Sequence, residues 1–223
     1  EHGLEPIFQM TCRDRNRIGL QSDLLGASIL GIKNVLCMTG DHVSAGDHKG
    51  AKPVYDVESV QLLKIVDGLN SGKDMSGNEL KGSTDFFQGA VVTPEANPLE
   101  PQLIKFEKKI RAGAKFFQTQ AIYDIEKFKD FMKHARKFPV KILAGFVVLK
   151  SAGMANFLNN NVPGIRVPQS LIDELKAAGK EKALDTGMNI TARHIKQLRE
   201  EKICDGVHIM AIGMEDKVPE IME

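Results

Sequence analysis

The chain alternates short, almost continuous apolar runs with amphipathic stretches of helical period, and this alternation constrains the fold more than any other feature. The runs are 6–12 (PIFQMTC), 34–39 (NVLCMT), 86–92 (FFQGAVV), 116–123 (FFQTQAIY), 140–149 (VKILAGFVVL) and 206–212 (GVHIMAI). Apolar character at successive positions suits strands buried on both faces, as in a parallel sheet. Between the runs, Leu99, Leu103, Phe106 and Ile110 fall on one helical face. Ile125, Phe128 and Met132 repeat that spacing behind Asp124, a good N-cap. Leu171 with Leu175, and Met188 with Ala192 and Ile195, do so again. Gly31 and Gly113 stand where helices should stop, in two similar junctions, GIKN and GAKF. The polar, glycine-rich stretch 71–83 is predicted to be an exposed loop, and 159–168 (NNNVPGIRVP) an irregular connection.

Such a β-α alternation leaves an open doubly wound sheet or a (β/α)8 barrel. Polar residues gather at the carboxyl end of run after run: Thr11 and Arg13; Thr39 and Asp41; Thr93 and Glu95; Gln118, Gln120 and Asp124; Lys150 and Ser151; Glu215 and Asp216. Polar ends on one side of a parallel sheet are how a barrel builds its active-site face, and a whole barrel takes eight strands and about 250 residues. Six runs in 223 residues therefore predict a TIM barrel lacking its first two β-α units, with 1–223 as one barrel domain. Residues 1–3 read as the end of a helix and 217–223 as the start of one, so the expectation is a piece of a longer polypeptide, cut at both ends.

Composition narrows the function classes. Thirty Lys plus Arg against 29 Asp plus Glu leave a net charge of +1, so no bulk basic excess exists to hold nucleic acid. No apolar run approaches the roughly 18 residues of a membrane span. Cys12, Cys37 and Cys204 form no C-x-x-C pair, which predicts reduced, buried thiols in a cytoplasmic protein. No nucleotide-binding glycine motif of the G-x-G-x-x-G or G-x-x-x-x-G-K type is present.

Three places could carry chemistry. Asp41, after Gly40, could set a charge beside a cofactor; it could equally cap a helix or solvate a loop. Gln118-Thr119-Gln120 offers amides for a flat heterocycle bearing ring nitrogens and carbonyls, against a structural bond to a neighbouring strand. Lys105, Lys108 and Lys109 form a basic stripe that is either a solvated face or a phosphate site. His42, Asp47 and His48 share a loop but match no zinc spacing, so no metal site is assigned.

Taken together, these residues resemble the methylenetetrahydrofolate reductase family. The anchors are Met10-Thr11-Cys12, Thr39-Gly40-Asp41, Thr93-Pro94-Glu95-Ala96-Asn97-Pro98, Arg111-Ala112-Gly113-Ala114, Thr119-Gln120 with Tyr123-Asp124, and Gly164-Ile165-Arg166-Val167-Pro168, in family order along nearly the whole chain. The resemblance implies a flavin-bearing (β/α)8 barrel of one-carbon metabolism and methionine biosynthesis. It implies hydride transfer from NAD(P)H through the flavin, FAD rather than FMN, to methylenetetrahydrofolate, giving 5-methyltetrahydrofolate. Asp41 would tune the flavin and meet the folate, and Gln120 would hydrogen-bond the pterin; these are the implied catalytic and substrate residues. Gln9, Thr11, Gly40 and Tyr55 would line the flavin pocket, and Thr93, Asn97, Lys105, Lys108 and Lys109 would hold the rest of the dinucleotide.

The chain departs from many bacterial members, which carry arginine at the Thr39 position, histidine at Gln9, and tyrosine and histidine at Thr93 and Asn97. These departures point to a divergent branch in which a redox-partner subunit is an alternative electron donor. The family's general-acid glutamate lies on a first strand, and a folate contact on a second, that this sequence does not contain, so the 223-residue chain alone is expected to be inactive. An oligomer is expected. The competing readings are a pterin-binding barrel methyltransferase without flavin, and a non-catalytic flavin- or partner-binding subunit.

Overall fold

A computed structural model describes residues 3–223; Glu1 and His2, read from sequence as part of a helix end, lie outside the described residues. Six strands alternate with helices: β1 (Ile7–Thr11), α1 (Arg17–Ile29), β2 (Asn34–Met38), α2 (Ser59–Asn70), β3 (Phe87–Val92), α3 (Glu100–Arg111), β4 (Phe116–Ala121), α4 (Ile125–Ala135), β5 (Lys141–Val147), α5 (Ala152–Asn161), α6 (Gln169–Glu200), β6 (Gly206–Met210) and α7 (Val218–Met222). Each strand lies within one of the apolar runs. The strand order is β1-β2-β3-β4-β5-β6. A doubly wound sheet reverses its order at a switch point; this order never reverses, which separates the two sequence alternatives in favour of the singly wound barrel class. The pairings β1 with β2, β2 with β3 and β5 with β6 are parallel, with Gln9 opposite Leu36, Cys37 opposite Ala90, and Gly145 opposite His208.

The described residues form two compact units, 3–91 with 104–116, and 92–103 with 117–223. In the first, Met10, Cys12, Val35 and Cys37 are fully buried, together with Leu62, Leu63 and Val66 of α2. In the second, Val147 and Leu149 pack with Leu171, Ile172, Leu175 and Ile190 of α6. Phe128 and Phe131 of α4 and Phe146 of β5 are also buried there.

The helix boundaries have local causes. Asp124 caps α4 by accepting the Lys127 N–H, as its position predicts. Glu58 and Gln61 close a capping box on α2. Gly31 and Gly113 take φ of 81° and 102°, the left-handed stop their position predicts. The two junctions are used alike: the Gly31 N–H donates to Ser28 O and the Ile32 N–H to Ala27 O, as the Gly113 N–H does to Ile110 O and the Ala114 N–H to Lys109 O.

Two readings need correction. The first residues of 159–168 belong to α5, because Asn159 is not loop: its amide accepts from the Val167 N–H at 2.7 Å and donates to Val167 O at 3.0 Å. That clasp closes the connection back onto the helix. The helices read around Leu171 and around Met188 join end to end as α6, bent at Gly179 with φ 71°. Among the described residues, no helix is long and apolar enough to cross a membrane. Cys12 and Cys37 are buried thiols and Cys204 is half-buried; burial pushes the Cys12 thiol up to about 11.

Candidate functional site

In the first unit, the carboxyl ends of β1 and β2 are tied together by side chains. The Arg13 guanidinium grips Asp14 with two donors, Nε to Oδ1 at 2.7 Å and Nη2 to Oδ2 at 3.1 Å. The Thr11 hydroxyl donates to the same carboxylate at 2.7 Å. The remaining Arg13 Nη1 reaches across to the backbone carbonyl of Asp41, 3.3 Å away. Arg13 and Thr11 hold the Asp14 carboxyl below the usual carboxylate range.

Tyr55 closes the cluster from the other side. The segment before α2 runs alongside the end of β1, with the Val54 N–H on Arg13 O and the Tyr55 N–H on Cys12 O. Tyr55 adopts φ 44°, unusual for a bulky residue. Its hydroxyl donates to Asp41 O at 2.9 Å, with Gly40 O at 3.3 Å. Gly40 has φ 85°, and a Cβ there would stand 3.1 Å from the Cβ atoms of both Thr11 and Arg13. Glycine is thus required by the chain itself, which is why Arg13 can pass so close to Asp41.

The backbone of Asp41 is therefore pinned by two side chains, while its carboxylate is exposed and makes no hydrogen bond among the described residues. Against Arg13 and Asp14 opens a cavity of about 270 Å³, lined also by Val43, Gly46, Asp47, His48 and Ala51 but not by Asp41. His42 caps a single turn of 3-10 helix through Ser44, and His48 pairs with Asp47 at the surface. Gln9 lies two residues before Thr11, on the same face of β1, and is exposed.

The lysine stripe divides. Lys108 is exposed, and Lys105 is exposed and meets Glu58 at 3.6 Å. Lys109 corrects the picture of a solvated stripe: it is buried and its ammonium donates to Val91 O at 2.6 Å. Burial, with Lys105 adding to it, pulls Lys109 down to about 8.

The second unit holds Thr93, Asn97 and Gln120, and among the hydrogen bonds of the described residues none joins these three to one another. Thr93 is half-buried and Asn97 exposed. On β4, Gln118 and Thr119 are buried and Gln120 is half-buried. For Thr119 the structural alternative holds: its hydroxyl accepts from the Gly145 N–H and donates to Gln120 O, both at 2.8 Å. The Gln120 amide oxygen accepts from Ala121 N–H at 3.1 Å, which leaves its amide N–H groups for a ligand.

Sequence reasoning quoted Glu95 within its motif but gave it no role. Its Oε1 accepts the N–H groups of Tyr123 and Asp124, each at 3.0 Å, so it fixes the end of β4 just beyond Gln120. The other oxygen, Oε2, is buried without a partner, and burial raises the carboxyl against those two bonds. Tyr123 continues the brace, donating its buried hydroxyl to Val147 O at 2.7 Å. Tyr123→Phe strips that carbonyl of its donor and is expected to cost about 1.5 kcal/mol, read as a lower urea midpoint at unchanged slope.

The chemistry of this donor set fits a flavin dinucleotide in part. Gln9 presents a free amide for a heterocycle edge, and Lys105 and Lys108 are exposed cations for a diphosphate. Lys109 fits less well, since its ammonium is already directed at Val91 O. Thr11 fits less well too, since its hydroxyl proton is given to Asp14.

The sequence profile of the family described as methylenetetrahydrofolate reductase matches residues 1–223. The chain is 20% identical over 226 residues to a probable methylenetetrahydrofolate reductase (NADPH) of Caenorhabditis elegans, covering 99% of this chain and 32% of that protein. It is 26% identical over 234 residues to methylenetetrahydrofolate reductase 2 of Saccharomyces cerevisiae, covering 99% of this chain and 36% of that protein. The chain thus spans about a third of the length of the curated relatives it matches. Among solved structures, an uncharacterized protein from Clostridium thermocellum that binds two copies of 5-methyl-5,6,7,8-tetrahydrofolic acid aligns with a TM-score of 0.45 at 18% identity, over 96% of this chain and 90% of that chain.

Proposed function

Because this chain belongs to the methylenetetrahydrofolate reductase family, we propose that the protein carrying it reduces 5,10-methylenetetrahydrofolate to 5-methyltetrahydrofolate, using a flavin, FAD rather than FMN, fed by NAD(P)H or by a redox-partner subunit. The observation that carries this reading is the exposed Asp41 carboxylate on a backbone pinned by Arg13 and Tyr55. When bound, the flavin supplies the acceptance and donation of a hydride, chemistry no side chain here can perform. The chain's own residues bind and bias. Gln9 and Tyr55 line the heterocycle, Lys105 and Lys108 neutralise the diphosphate, and Thr93 and Asn97 hold the remaining polar groups. Gln120 uses its uncommitted amide N–H groups on the pterin. Asp41 meets the folate, and its negative charge opposes any build-up of negative charge beside it, which lowers the potential of a neighbouring redox group.

The test is the visible spectrum of the purified full-length polypeptide under anaerobic conditions. A flavin spectrum that bleaches with NAD(P)H and recovers on adding methylenetetrahydrofolate is the expected result. A flavin that folate re-oxidises but NAD(P)H does not reduce supports the partner-subunit donor. A colourless protein that refuses added flavin overturns the proposal, and then binding of methyltetrahydrofolate distinguishes a pterin methyltransferase from a subunit without catalysis.

A further inference from the structure

We infer that Arg13, held by Asp14 and Thr11, is the positioning residue of Asp41: it fixes the backbone from which the Asp41 carboxylate meets the folate, and so sets folate affinity without touching folate. This rests on the proposed role of Asp41. The guanidinium is committed on three sides. Two donors are fixed by a fork on Asp14, and Asp14 is in turn fixed by the Thr11 hydroxyl, which leaves Nη1 aimed at Asp41 O. Such a fork is a geometric constraint that a lysine cannot reproduce. Gly40 lacks the Cβ that would push Arg13 aside, and Tyr55 donates to the same Asp41 carbonyl from the opposite segment. A carbonyl held by two donors from two separate segments cannot rotate its peptide plane freely, so the residue's side chain leaves the backbone in one direction. Arg13 is also the one arginine or lysine among the described residues lining the adjacent cavity. Its charge faces Asp14 and Asp41 together.

The experiment is a double-mutant cycle on the full-length polypeptide, with the dissociation constant of 5-methyltetrahydrofolate measured by calorimetry and flavin content recorded beside it. Asp41→Asn alone is expected to weaken folate binding about tenfold, and Arg13→Ala alone about fivefold, with flavin content retained. Arg13→Lys is expected to behave as Arg13→Ala, since the charge survives but the fork does not. In the Asp41→Asn background, Arg13→Ala should cause no further loss. A full fivefold loss in that background means Arg13 acts on folate or on the fold directly and overturns the inference. So does an Arg13→Ala protein with unchanged affinity, or an Arg13→Lys protein that binds as the parent does. No effect of Asp41→Asn itself sinks instead the reading on which the inference rests, a separate and recognisable outcome. Should Arg13→Ala fail to fold, Asp14→Asn loosens the same guanidinium while leaving the apolar packing intact. It should give a smaller loss that again disappears beside Asp41→Asn; an undiminished loss there overturns the inference equally.

Discussion

Gly187→Ala is expected to destabilise the fold by about 3 kcal/mol, near the upper end for overpacking. Gly187 lies inside α6, where glycine ordinarily costs about 1 kcal/mol relative to alanine, so propensity alone predicts a stabilising change. The packing reverses that sign. A Cβ at Gly187 would fall inside the van der Waals envelope of the Leu149 carbonyl oxygen and crowd the Leu149 carbonyl carbon as well. Both are backbone atoms just past the end of β5, and they cannot turn away as a flexible side chain would. Relief requires α6 to move bodily, which disturbs Ile190, Leu171 and Leu175 where they pack on Val147 and Leu149. A lowering of the melting temperature by about 10 °C is the corresponding reading for a chain of this length. Gly26→Ala is the control. It is also helical, in α1, and its added Cβ would meet nothing within 4 Å. That variant should be more stable by about 0.5 kcal/mol. If the two variants melt alike, the close approach of α6 to β5 is refuted.

Acidification should destabilise the protein through His194, the second large effect. His194 is buried on α6, its ring tilted against Phe146 with centroids 6.2 Å apart, and its Nδ1 has no partner. Burial pulls the imidazole down from 6.5 to about 4, with Arg193 adding to the shift and Glu174 opposing it. The native state therefore holds a neutral ring at pH values where the unfolded chain holds a protonated one. By linkage, stability is fully present above pH 6.5 and is lost as pH falls through about 4. The shift corresponds to about 3 kcal/mol over that window. Carboxylates titrate there too, so the measurement is a comparison. Urea unfolding at pH 7 and pH 4 should show a smaller difference for His194→Leu than for the parent, by about that amount. An equal pH dependence in the two proteins would mean that His194 is hydrated rather than buried.

The candidate site was partly legible in the sequence. Thr11, Gly40, Asp41 and Tyr55 share one hydrogen-bonded cluster: the sheet itself brings the ends of the neighbouring parallel strands β1 and β2 side by side, and Tyr55 joins them because the segment before α2 bonds along Cys12 and Arg13. Arg13 was visible as a polar residue at a strand end, yet its tie to Asp41 was not, since it depends on the space left by Gly40 and on the fork with Asp14. Lys109 was unreadable for the opposite reason. Its neighbours Lys105 and Lys108 are exposed, and only the facing carbonyl of Val91 explains why one lysine of the stripe turns inward. Glu95 fell between the two cases: a carboxylate in a proline-flanked turn gives no sign that its partners are backbone N–H groups 28 and 29 residues away.

Periodicity alone determined the number of strands and the helices between them, because both are written in the local pattern of apolar side chains; the even burial the runs predicted fails at β1 and β6, the end strands of the sheet, where only Met10 is buried. Glycine position determined where α1 and α3 stop, because a left-handed φ is a property of a single residue. Only the tertiary structure decided the strand order, the union of two helical stretches into the bent α6, and which polar groups spend their hydrogen bonds on the fold and which keep them for a ligand. Those outcomes turn on contacts between residues far apart in the chain. Whether a lysine, a glutamate or an arginine binds a ligand or a carbonyl is settled by what stands opposite it, and no local pattern records that.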